Sequence, residues 1–176
     1  MNSLPFYLPL GFLGIVGVMM VVWYQAMSRL ELRTLTLLHT IRIAVELVLY
    51  GLYLHRWVPK LMTFEGGNLD ILSGLSAPVV YYFAFVRGRM NSRWLLVWNF
   101  ICLGLLLNVV VKAMLSAPGD LQRLAFDQPN IAIQRFPFLL LPGFVVPVVL
   151  FAHVVTIRRL VGAPRLLAGK LPANAA

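Results

Sequence analysis

The chain has 176 residues, 60% of them hydrophobic, only 12% charged, and a mean hydropathy of +0.84; a soluble globular domain carries about twice that share of charge, so the composition excludes one. The net charge of +9 lies between the apolar blocks, and we read it as orienting the chain in a bilayer, with nucleic acid excluded as a partner. The single cysteine, Cys102, excludes an intrachain disulfide and any cysteine-based metal motif.

The apolar residues form continuous blocks, as helices that cross a bilayer in about 20 residues require. Barrel strands would be about 10 residues long and alternate in polarity. Inside lipid every backbone group must find a partner within the structure, which a helix provides. The expected fold is therefore all-α, a polytopic membrane bundle of about five transmembrane helices. Residues 1–157 form one transmembrane domain and residues 158–176 a basic, flexible cytoplasmic tail.

The first span is expected from Leu8 to Tyr24. No basic start or small-residue cleavage site precedes it, so it is read as retained. Gly11, Gly14 and Gly17 give it a smooth strip for close helix packing. The second span runs from about Thr34 to Leu54 and the third, short and interrupted by Pro78, from Ile71 to Val86. Between them, Gly66-Gly67 makes a turn and Asn68 caps the third span. The fourth span runs from Trp94 to Leu115. Ser116-Ala117-Pro118-Gly119 then leads into a short interfacial helix over Asp120–Asp127, with Leu121, Leu124 and Ala125 on one side. The fifth span runs from Phe136 to Ile157, with Pro142 and Pro147 read as kinks.

Charge orients these spans. Arg29, Arg33, Arg87, Arg89, Arg93, Arg158, Arg159, Arg165 and Lys170 fall on one side, accompanied by Glu31 alone. Arg56, Lys60, Arg123 and Arg135 fall on the other with four acids, Glu65, Asp70, Asp120 and Asp127, and Lys112 snorkels near that edge. The positive-inside rule places the N-terminus outside and the C-terminus in the cytoplasm. The expected location is a plasma membrane, bacterial inner membrane in type, with the basic tail on anionic inner-leaflet lipid. Five spans leave little room for a transport path, so a homo-oligomer is an expected partner state.

The second span carries the sharpest chemical signal. At about 100° per residue, His39, Arg42 and Glu46 share one face, and Tyr50 extends the stripe. An arginine at the bilayer centre costs about 2.5–3.5 kcal/mol even on insertion scales, so the stripe must face the bundle interior. Two readings follow. In one, Arg42 and Glu46 neutralise each other one turn apart and tie helices together. In the other, the stripe with Asn108 of the fourth span binds a small solute, an ion or a proton. Glu65, Asn68, Asp70 and Asp127 would form an outer vestibule, which could equally be solvated loop. Asn99 points away from Asn108 and is read as a helix–helix contact. His39 and His153 have similar depth, so a bis-histidine haem b, with quinone, is an alternative; no other cofactor and no metal site is expected.

Catalytic templates fail: Ser73-Gly74-Leu75-Ser76 is not a nucleophile elbow, and Gly66-Gly67 opens no phosphate loop. The sequence points to binding or transport, with a structural accessory subunit as the other class.

Overall fold

The computed structural model describes residues 20–162. The glycine strip, most of the first span and the tail residues Arg165 and Lys170 lie outside the described residues. Among the described residues the structure is helical without strands. Three stretches are long and apolar enough to cross a membrane: Leu32–Leu54, Ser92–Ser116 and Leu141–Gly162. Ile71–Val86 is a shorter apolar helix. We label the described part of the first helix, residues 20–28, α1. The others are α2 (Leu32–Leu38), α3 (Ile41–Leu54), α4 (Ile71–Tyr81), α5 (Ser92–Ser116) and α6 (Val146–Gly162).

α2 and α3 are one apolar stretch tightened at its joint. Around His39 and Thr40 the amides reach back three residues: Thr40 N to Leu37 O at 3.0 Å and Arg42 N to His39 O at 3.1 Å. The Thr36 and Thr40 hydroxyls also donate to Leu32 O and Leu37 O, a habit that bends helices. The buried face runs Leu32, Leu35, Thr36, His39, Arg42, Glu46, Leu49, Leu52. Those steps follow the 3.6-residue period, so the polar stripe is the inward face. The outward face is apolar, with Ile41, Leu47, Val48 and Leu54 exposed.

α4 runs antiparallel to this pair. Its buried residues, Ser73, Gly74, Ala77 and Val80, are mostly small and let the backbones approach. A Cβ on Gly74 would lie 2.8 Å from Ile43 Cγ1. Near its other end Val80 and Ala84 cluster with Leu32. α4 therefore starts beside the middle of α3, roughly 12 Å short of the level of Leu54 at 1.5 Å per residue. The connecting residues 55–70 fold back into the bundle through two short turns, Lys60–Met62 and Phe64–Gly66. Gly67, with φ +82°, supplies the left-handed residue that reverses the chain. α4 continues as a wider π turn, Tyr82–Val86.

Asn91 caps α5 by accepting from Arg93 N. α5 buries Leu95, Asn99, Cys102, Leu106 and Val109. The last helix opens with a π turn, Leu141–Val145, that buries none of its residues.

Two expected elements are corrected. The fifth span begins at Leu141 rather than Phe136: Pro137 and Pro142 cannot donate to the helical ladder, and Phe136 is exposed. Its helix extends through Gly162, which places Arg158 within the helix and Arg159 in its last turn. The expected helix over Asp120–Asp127 does not form. Arg123 N and Leu124 N both return to Leu115 O, at 2.8 and 2.9 Å, and Ala125 sits at φ 55°; a chain pinned this way to the end of α5 cannot coil.

The basic segments meet at one end. Arg159 donates to Leu30 O at 2.6 Å and also to Ser28 O, and Leu160 packs with Leu32, Phe85 and Leu95. The opposite end is a separate core of Leu52, Val58, Met62, Val109 and Ala132.

Candidate functional site

Between these two cores lies a layer of buried polar side chains. Arg42, 1% exposed, is its hub. Nη1 donates to Asp70 Oδ1 at 2.9 Å and to the carbonyl of Cys102 at 3.0 Å. Nη2 donates to His153 Nε2 at 3.0 Å. One side chain of α3 thus holds the start of α4, the middle of α5 and the middle of α6.

The hub fixes its neighbours. A guanidinium only donates, so His153 Nε2 must accept and Nδ1 must carry the proton. Nδ1 lies 3.0 Å from Asn99 Oδ1, which accepts it, while Asn99 Nδ2 donates to Leu95 O at 2.9 Å. The network therefore selects one tautomer of His153. The His39 ring stacks on that of His153, with centroids 4.0 Å apart and planes 21° from parallel. On another side Trp98 meets His39 edge to face at 5.5 Å, and Trp98 Nε1 donates to Ser76 Oγ at 2.9 Å.

Glu46, one turn beyond Arg42, pairs elsewhere. Asn68 Nδ2 donates to Glu46 Oε1 and to Met62 O, and Asn68 Oδ1 accepts from Asp70 N at 3.2 Å. Asn68 thus pins the turn ahead of α4 and latches the returning loop onto α3; the N-cap position expected for it is taken by Asp70. Lys112 adds a second latch, donating to Gly67 O at 3.0 Å, instead of extending away from the bundle.

Several buried atoms in this layer have no partner: both ring nitrogens of His39, Arg42 Nε, Glu46 Oε2 and Ser73 Oγ. Each unsatisfied buried polar group costs about 1–3 kcal/mol. Such groups in one layer are where a small polar guest would be held.

The expected site residues divide. His39, Arg42 and Glu46 come together, joined by His153, Asn68 and Asp70. Arg42's ion pair among the described residues is with Asp70, not with Glu46 as one reading had it. Asn108 is exposed and stays outside the layer; Asn99, nine residues and half a helical rotation earlier, takes that place. Tyr50 stops short of the cluster, stacks on Phe64 at 5.0 Å and donates to Glu65 at 3.3 Å. The four vestibule residues do not converge: Asn68 and Asp70 are buried, whereas Glu65 and Asp127 are exposed. The rings of His39 and His153 lie face to face, and both nitrogens of His153 are occupied in this network. Sequence reasoning missed Asp70 as the counter-ion; the shortness of the third span was the available signal.

A family model described as a domain of unknown function, DUF8737, matches residues 5–161, and the chain belongs to this family. No curated protein and no solved structure matches the chain.

Proposed function

We propose that this member of the DUF8737 family is a multi-pass membrane protein that takes up protons at a buried site formed by His39, Arg42, Glu46, Asp70 and His153. The reading includes five spans, an outside N-terminus and a cytoplasmic C-terminus. Supporting it, the outward faces of α3 and α5 are largely apolar, while the inward face of α3 carries Arg42 and Glu46 and that of α5 carries Asn99, the reverse of a soluble bundle. The gathering of Arg29, Arg33, Arg87, Arg93 and Arg159 near one end accords with the positive-inside rule.

The observation that carries the proton reading is the set of unpartnered acceptors and donors on His39, Glu46 and Ser73. They flank a continuous series of contacts, His39 on His153, His153 on Arg42, Arg42 on Asp70, then Asn68 and Glu46. Small polar guests bridging the unpartnered atoms would complete a path about two helical turns long, roughly 10 Å. α4 starts at this layer within the bundle, like the interrupted helices that line sites in transporters.

A second reading has its own observation: Arg42 binds three different elements at once, as a purely structural joint would. Reconstituted liposomes with an internal pH dye separate the two. Proton uptake driven by a potassium diffusion potential should exceed that of protein-free vesicles, and Glu46→Gln and His39→Leu should lower it at least tenfold with the melting temperature retained. Uptake equal in both variants and wild type leaves only the joint.

A further inference from the structure

A cavity lies away from the polar layer, toward the end opposite the basic segments. It is open on one side and offers ≈ 220 Å³, more than the roughly 150 Å³ that accommodates a benzene-sized guest. Leu49 of α3, Val109 and Ala113 of α5, Met62 of the returning loop, and Phe138 and Leu141 ahead of α6 form its walls. Its origin is local. In the Pro142-containing π turn no residue is fully buried; Leu141 and Val145 are only partly covered by the core they share with Leu106 and Val109 of α5, which leaves room between the two elements. Neither Arg42 nor Glu46 lines it.

We infer that this cavity holds one acyl chain of a phospholipid whose anionic headgroup is bound by Arg135. The lining is almost wholly apolar, Asn130 being its one polar member, which suits a hydrocarbon chain better than a guest with several polar groups. The charge lies nearby: Arg135 Cζ sits 5.2 Å from the centre of the Trp57 ring. Trp57 in turn meets the wall residue Phe138 edge to face at 5.8 Å. Lining, aromatic edge and guanidinium thus follow in order, as tail, interface and headgroup do in a lipid. Leu121, Phe126 and Phe136 are exposed on the same loop region, as a surface lying in the interfacial zone would have them. The inference rests on the chain being membrane-embedded but not on the proton site.

Native mass spectrometry of the full chain, released from micelles containing either dioleoyl phosphatidylglycerol or dioleoyl phosphatidylcholine, tests it. One retained phosphatidylglycerol per chain is expected, with at least a fivefold preference over phosphatidylcholine. Ala113→Phe, which fills the cavity, should abolish retention of both, and Val146→Phe, on the opposite wall, is the replacement if the first variant does not fold. Arg135→Gln should keep an acyl chain but lose the preference. Retention unchanged by either filling variant overturns the inference, as does displacement of the lipid by an equimolar quinone. Carbonate-resistant association with membranes is measured in parallel, so that failure of the membrane reading is seen separately.

Discussion

Replacing Asp70 with asparagine keeps the shape of the side chain and removes the carboxylate facing Arg42. The pair is at 2.9 Å with side-chain exposures of 2% and 5%, so solvent offers little screening. Removing one member of such a pair leaves a buried charge uncompensated and costs about 3–5 kcal/mol. Arg42 keeps Cys102 O and His153, which places the expected loss at the lower end, about 3 kcal/mol. That is roughly a hundredfold in the folded-to-unfolded ratio. Arg42→Met alone orphans Asp70 and should cost a similar amount. The double variant buries no unpaired charge, so its loss should fall short of the sum by at least about 2 kcal/mol. Unfolding in mixed micelles with rising dodecyl sulfate, followed by circular dichroism, gives all three values. Additive losses, or an Asp70→Asn variant within about 0.5 kcal/mol of wild type, would refute the account of Arg42 as the hub.

Asn99→Leu should cost about 1–3 kcal/mol, because it strips His153 Nδ1 of its acceptor; Asn108→Leu, exposed on the other face of α5, should stay within about 0.5 kcal/mol of wild type in the same assay. Gly74→Ala puts a methyl 2.8 Å from Ile43 Cγ1 and should destabilise by about 1–3 kcal/mol, with Gly51→Ala, which meets nothing within 4 Å, as the control. Asn68→Ala frees the loop latch on Glu46 and Met62; hydrogen exchange over residues 60–70 should rise at least tenfold while exchange in the middle of α5 stays unchanged.

The polar stripe of the second span was legible because helical phase is local: His39, Arg42 and Glu46 share a face whatever surrounds them. Their partners were not. Asp70 and Asn68 reach Arg42 and Glu46 only because residues 55–70 turn back into the bundle, and no local pattern encodes how far a loop returns. The choice between Asn99 and Asn108 was equally hidden, since α5 is apolar all round, with Phe100 and Ile101 exposed and Leu95 and Leu106 buried. The segment 120–127 has apolar spacing that fits a helix, yet its amides bind the end of α5 instead.

By itself the sequence determined that long apolar helices form, where they lie along the chain, and that charge sits on one inward-facing stripe. These follow from composition and from the 3.6-residue period, both properties of short stretches. Tertiary structure alone decided which carboxylate meets Arg42, which tautomer His153 adopts and where a cavity opens beside α6. Those depend on distances between segments far apart in the chain, which only packing sets.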